Sequence, residues 1–327
     1  MKLGFLILVL AGLVGLIALP YIIKTYDLKE ITAADLPAQG AWAELSQGNL
    51  YYRWYSPEAE SQNGETVVLV HGFTTPHFVW DGVKTFLLEA GYQVLVYDHF
   101  GRGLSARPTV KYDKALYVES LKELLLHQQV SQPVHLVGYS MGGAVAGHFS
   151  QSYPSSVKTL TLIAPAGFMT AEKEQQQASN RFAIMPLVGE WLGHMFVKKM
   201  LVSDVTEAKM ANLNDPLAIS KTDFVQQVGR QLAYKGYVES LLSTLRHFNM
   251  FNAQEAFAAV GERGIPTLAI WGTDDSTVLY QGTEQLLQAI PQAQLLTIKK
   301  GGHNITYMQP SIVGPSITDF LNQSAAP

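Results

Sequence analysis

Short runs of β-favouring apolar residues alternate with helix-length segments along most of the chain. Leu50–Tyr55, Thr66–His71, Tyr92–Asp98, Val134–Tyr139, Thr159–Ala164, Pro266–Trp271 and Gln294–Lys299 read as strands. Several are continuously apolar (VVLV, VLVY, HLVG, LTLIA, TLAIW), as strands covered on both faces must be. Helical spacing fills the gaps near 77–90, 113–130, 141–153, 279–290 and 310–322. This alternation predicts βα units around a mostly parallel central sheet flanked by helices, an α/β fold.

Two segments break the rhythm. Leu3 to Ile23 (LGFLILVLAGLVGLIALPYII) is 21 residues without a charge, between Lys2 and Lys24. At about 1.5 Å per residue it reaches about 30 Å, one hydrocarbon thickness. It is expected to be a transmembrane helix that stays attached. A cleaved signal peptide would have a shorter apolar core and a small-x-small site, which Leu16, Ala18, Leu19 and Pro20 do not form. The short basic tail at Lys2 leans toward the cytoplasmic side, which puts the rest of the chain on the exoplasmic or periplasmic side.

The second break runs from Phe168 to about Glu262, where no strand pattern occurs. Met185, Val188, Leu192, Met195, Phe196 and Met200 repeat there at helical spacing. Six of the nine methionines fall in this insertion: Met169, Met185, Met195, Met200, Met210 and Met250. A helical subdomain with its own small core is the plain reading. A cap over the sheet's C-terminal edge adds a use for flexible apolar side chains, namely adapting to an apolar ligand. The chain thus divides into an anchor (1–24), a connector (25–48), a core (49–167 and 263–327) and a cap (168–262).

Composition narrows the chemistry. Of 327 residues 47% are hydrophobic and 15% charged, with a formal net charge of −4, so no basic field is available for nucleic acid. Cysteine is absent, which excludes disulfides, thiolate metal sites and a cysteine nucleophile. No histidine or carboxylate cluster has metal-ligand spacing, so neither a metal nor another cofactor is expected.

Gly138-Tyr139-Ser140-Met141-Gly142 fits G-x-S-x-G between a predicted strand and a small-residue helix. Such a serine sits on a tight, strained turn that lifts its hydroxyl above the sheet. The hydroxyl needs a base to take its proton, and a histidine base needs an acid to hold its tautomer. Both partners should follow the serine, on loops at later strand ends. Gly301-Gly302-His303 follows one such strand, and His303 is the candidate base. Gly272-Thr273-Asp274-Asp275 follows another and offers two acids. Leu162-Ile163-Ala164-Pro165 carries no carboxylate, and Asp98 precedes the serine in what reads as a structural turn. The oxyanion donors should be the Met141 N–H and an N–H of the turn His71-Gly72-Phe73-Thr74, with Phe73 the candidate.

Four segments together resemble the α/β-hydrolase superfamily, in the branch with a short H-G-x oxyanion turn. HGFTTPHFVWDGVKTFLLEAGYQVLVYDHFGRGLSARP is similar to the stretch from that turn to D-x-x-G-x-G-x-S. GYSMGGAVAGHFSQSYP resembles the nucleophile segment, IWGTDDSTV the W-G-x-x-D acid loop, and GGHNITYMQP the histidine loop. The resemblance spans about residues 50–167 and 264–322. It implies an α/β-hydrolase fold with a helical cap inserted after the sixth strand, and it puts the acid on Asp275. With the N-terminal segment, the arrangement is similar to membrane-anchored monoacylglycerol lipase-like hydrolases.

The expected activity is hydrolysis of carboxylic esters by Ser140, His303 and Asp275, on a small apolar ester or lipid and without a cofactor. Oligomeric state is not signalled. A C–C hydrolase, an amidase or an acyltransferase would use the same triad. Dehalogenases and epoxide hydrolases of this kind carry aspartate where Ser140 stands. A non-catalytic membrane-tethered binding protein would be expected to have lost a triad member.

Overall fold

Eight strands form one sheet: β1 (Ala41–Leu45), β2 (Gly48–Tyr55), β3 (Thr66–Val70), β4 (Gln93–Tyr97), β5 (Val134–Tyr139), β6 (Val157–Ile163), β7 (Thr267–Gly272) and β8 (Gln294–Ile298). The computed structural model describes residues 2–168, 184–203 and 215–325. The strand order is β1-β2-β4-β3-β5-β6-β7-β8. β1 pairs with β2 and β2 with β4 antiparallel, and every other pairing is parallel.

Apolar strands with period-two side chains need cover on both faces, and the packing follows that rule. Val68, Val70, Leu136, Leu160 and Leu162 point into one buried cluster. Their alternates Val67, Leu69, Val137 and Ile163 point into another. Helices α2 (Val83–Glu89), α3 (Lys114–His127), α4 (Met141–Ser152), α9 (Gly282–Ala289), α10 (Ile305–Met308) and α11 (Pro310–Ala325) supply the cover. Leu121 and Phe149 enter the first cluster, and Leu87, Val313 and Leu321 the second. Each side chain so buried contributes about 1.5–3 kcal/mol.

All seven predicted strands are present. β1 lies inside the segment read as a connector. AWAEL is a five-residue edge strand paired only to β2, and its burial shows no clean alternation. It is too short and one-sided to leave a readable pattern.

The insertion holds α5 (Val188–Ser203), α6 (Lys221–Gln231), α7 (Tyr237–His247) and α8 (Gln254–Glu262). α5 and α7 share a small core of Val197, Tyr237, Val238, Leu241 and Leu242. α8 joins the body instead: its Phe257 is fully buried in the first sheet cluster and stacks on Phe168 at 5.1 Å. Of the insertion's methionines, Met250 is buried, Met185 and Met200 are exposed, and Met169 and Met210 lie outside the described residues.

The apolar N-terminal stretch forms most of α1 (Lys2–Tyr26). Its C-terminal half docks on the cap: Trp191 Nε1 donates to the Ile17 carbonyl at 2.7 Å, and Tyr21 meets His194 edge-on at 5.3 Å. Among the described residues no helix is long and apolar enough to cross a membrane. The expected anchor falls partly on residues 2–4, 6–11, 13 and 14, whose side chains lie outside that description.

Candidate active site

Ser140 follows β5, the strand between β3 and β6, and precedes α4. Its backbone sits at φ 55°, ψ −122°, a sparsely populated region that costs of order 1–3 kcal/mol. Neighbouring amides hold it there. Ser140 N–H donates to the Ile163 carbonyl at 3.0 Å, while its own carbonyl accepts from Gly143 and Ala166, each at 2.9 Å. The turn closes only because position 142 lacks a side chain, since a Cβ there would lie 2.1 Å from the Val70 carbonyl oxygen.

The acid and base loops leave the adjacent strands β7 and β8. These loops approach so closely that a Cβ on Gly272 would lie 2.2 Å from the Gly301 carbonyl oxygen. Asp275 is buried, and its Oδ1 accepts the Thr277 and Val278 amides, both at 2.8 Å. Its Oδ2 lies 2.8 Å from His303 Nδ1, and His303 Nε2 lies 2.9 Å from Ser140 Oγ. An ionised carboxylate can only accept, so Nδ1 carries the proton and Nε2 presents its lone pair to the serine hydroxyl. The rival Asp274 is exposed and accepts from Thr273 Oγ1 at 2.9 Å. Geometry thus separates two neighbouring carboxylates that the residues alone left open.

The turn after β3 reaches the same point. A Cβ on Gly72 would stand 3.3 Å from Ser140 Cβ, which places the turn beside the nucleophile. The peptide joining Gly72 to Phe73 is trans, so its C=O and N–H point in opposite directions. His71 Nδ1–H donates to the Gly72 carbonyl at 2.8 Å, which turns the Phe73 N–H away from the buried imidazole. Met141 opens α4, so its N–H has no intrahelical carbonyl to meet. Both expected donors are therefore on elements that converge at Ser140.

Beneath that turn lies a buried polar cluster. His71 Nε2 accepts the His99 N–H at 2.9 Å, so the ring is neutral, and burial pushes its pKa down to about 4. His99 Nε2–H donates to the His71 carbonyl at 3.1 Å, and burial drives its pKa well down too. Asp98 accepts from His77 Nδ1 at 2.8 Å and from the His77 and Leu104 amides at 2.9 Å. Burial alone would raise the Asp98 pKa, but His77 brings it to about 2. Asp98 is thus a structural pivot for the turn, as its place before the serine suggested.

Above the turn, Arg102 Nε donates to the Phe73 carbonyl at 2.7 Å. Gln231 Nε2 and Tyr237 Oη donate to the Thr74 carbonyl at 3.1 and 3.0 Å. Tyr139, the second residue of the serine motif, donates its hydroxyl to the His303 carbonyl at 3.0 Å. None of these four is signalled by the sequence as a support. Tyr139 and Arg102 stood inside motifs, G-x-S-x-G and D-x-x-G-x-G-x-S, each at a position the motif leaves open. Among the described residues no group of three or more histidine or acidic side chains could hold a metal ion.

Residues 65–308 match the family described as alpha/beta hydrolase fold. The chain is 25% identical over 287 residues to monoacylglycerol lipase ABHD6 of Homo sapiens, covering 83% of this chain and 79% of that one. It is 26% identical over 264 residues to lipase 3 of a Moraxella species, covering 75% of this chain and 74% of the relative. A thermophilic esterase from Thermogutta terrifontis superposes with a TM-score of 0.68 at 21% identity, covering 88% of this chain and 98% of that one.

Proposed function

The chain belongs to the alpha/beta hydrolase family, distantly related to monoacylglycerol lipases and bacterial lipases, and from that premise we propose that it hydrolyses carboxylic esters through a serine acyl-enzyme. One observation carries the reading: the unbroken relay from Asp275 through His303 to Ser140, at 2.8 and 2.9 Å.

In this mechanism His303 Nε2 takes the Ser140 proton as Oγ attacks the ester carbonyl. The Phe73 and Met141 amides donate to the oxygen as it becomes negative. Asp275 keeps the proton on Nδ1 and stabilises the imidazolium. The imidazolium then protonates the leaving alcohol, and the acyl group stays on Oγ. Water, deprotonated by the same histidine, releases the acid. A missing oxyanion donor typically lowers turnover about 10²–10³-fold.

The substrate is a lipid or another apolar ester. That reading is supported by exposed cap residues such as Leu187, Phe196 and Met200 and by the lipase relatives. The uncharged run Leu3–Ile23 anchors the enzyme in a membrane, with the catalytic body on the exoplasmic or periplasmic side. Esters of graded chain length, monoacylglycerols included, test the activity. Parental protein should hydrolyse them and Ser140→Ala should not; equal rates in both would refute the serine mechanism. Deleting residues 1–24 should release the protein from the membrane fraction, and continued pelleting would argue against the anchor.

A further inference from the structure

We propose that the cap sets the oxyanion hole, with Arg102, Gln231 and Tyr237 as positioning residues that carry the orientation of α6 and α7 into the Phe73 turn. The proposal rests on the serine mechanism above and adds a second task to the cap.

The turn's carbonyls are held from one side by the body and from the other by the cap. His71 fixes the Gly72 carbonyl. The next two carbonyls, of Phe73 and Thr74, receive Arg102, Gln231 and Tyr237. Gln231 ends α6 and Tyr237 begins α7, so Thr74 is gripped by two cap helices. Arg102 belongs to the body, but its other two nitrogens are bound by α7. Nη1 donates to Ser240 Oγ at 3.0 Å and Nη2 to Thr244 Oγ1 at 2.9 Å. Gln231 also accepts the Gly103 amide at 2.9 Å, which closes the network on the loop carrying Arg102.

Burial makes this arrangement costly unless it is used. Arg102, Gln231, Tyr237, Ser240 and Thr244 are all essentially inaccessible to solvent. Among the described residues Arg102 forms no ion pair, so a buried cation is held by neutral acceptors alone. Burying a charge without a counter-ion is unfavourable. Its guanidinium lies 5.2 Å from the centre of the Phe73 ring and bonds the carbonyl of the oxyanion-donating residue. Positive charge there favours the negative oxygen of the transition state over the neutral ester. His71 holds the plane that carries the Phe73 N–H, and the cap-linked donors hold the next two planes. With both sides pinned, the φ and ψ of Phe73 have little freedom, and releasing the cap side lets the N–H drift. A misplacement of about 1 Å from a remote change can lower turnover about 10²-fold.

The test uses the full-length protein in detergent and conservative cap substitutions away from Ser140. Tyr237→Phe removes one donor to Thr74, and Thr244→Val removes one acceptor from Arg102. The double variant should lower kcat on a short p-nitrophenyl ester about tenfold, with KM within about twofold. Affinity for an alkyl boronic acid, whose serine adduct is a tetrahedral anion, should fall in the same proportion. Tyr237→Phe alone should show a smaller change of the same kind, and it serves if the double variant does not fold. Arg102→Lys should be less impaired than Arg102→Met. A folded variant with kcat within twofold of parental would overturn the proposal, as would a raised KM with unchanged boronate affinity. Failure of the serine mechanism itself would look different: parental protein and Ser140→Ala would then hydrolyse the ester equally.

Discussion

The body and the cap solve the problem of holding side chains in place by different means. In the body, strands buried on both faces lock one another by packing. Leu162, Val137 and Ile270 are wholly inaccessible, and the catalytic loops hang from the ends of these strands. In the cap, Leu187 is 84% exposed and Met200 67%; five described residues form a separate buried cluster, and Phe224 and Val228 of α6 are buried in the second sheet cluster instead. The Phe73 side chain packs on the cap's own cluster, but what holds the oxyanion turn's backbone to the cap is polar: Arg102, Gln231, Tyr237, Ser240 and Thr244. Packing is directionless and tolerant, whereas hydrogen bonds fix direction. A surface that must aim one amide is better served by the second.

Changes at the strand ends should act most strongly. Asp275→Asn should lower kcat about 10⁴-fold by permitting the wrong imidazole tautomer. Asp274→Asn, one residue away and exposed, should leave it within about twofold. Equal effects would erase the distinction that the geometry draws between them.

Next in size is stability. Leu162→Ala should cost about 2–5 kcal/mol in denaturant unfolding through the cavity it leaves. Leu187→Ser on the cap surface should cost no more than about 0.5 kcal/mol. A comparable loss at both sites would mean that the cap is packed like the body.

Acid should weaken the fold through the cluster under the oxyanion turn. His71 stays neutral in the fold down to about pH 4, whereas the free chain protonates near its ordinary value of about 6.5. Stability from the neutral form is therefore complete above about pH 6.5 and is lost as pH falls toward 4, by about 3 kcal/mol. His99 acts in the same direction. Asp98, at about 2, extends the loss below the ordinary carboxylate range. His77, raised by Asp98 against its burial, opposes this, since its contribution is largest at low pH and declines as pH rises. Melting temperature should drop between pH 7 and 4, and by less in His71→Gln. A flat profile would contradict the buried neutral histidine.

The smallest effect expected is on the cap's polar grip in its mildest form, Tyr237→Phe, where a severalfold drop in kcat should leave the melting temperature nearly unchanged.

These two regions also differed in how far the chain disclosed them. Strand runs such as VVLV and TLAIW announced the sheet because burial on both faces forces every position to be apolar. Ser140 and His303 were legible because glycine turns at strand ends leave a compact signature. Asp275 needed a family resemblance, since Asp274 is chemically identical. β1 was missed because AWAEL is a short edge strand. α8 was read as cap because helical spacing says nothing about which partner a helix meets. Arg102, Gln231 and Tyr237 lie up to 135 residues apart; Arg102 fills an open position of D-x-x-G-x-G-x-S and the other two belong to no motif, so only the folded chain brings them to one turn.

A fluorophosphonate probe followed by peptide mass mapping tests the central relay most directly. Stoichiometric phosphonylation of Ser140, abolished in Ser140→Ala and slowed at least about 10³-fold in His303→Ala, is the expected result. An unmodified Ser140 in folded protein, or labelling that proceeds at the parental rate without His303, would contradict it.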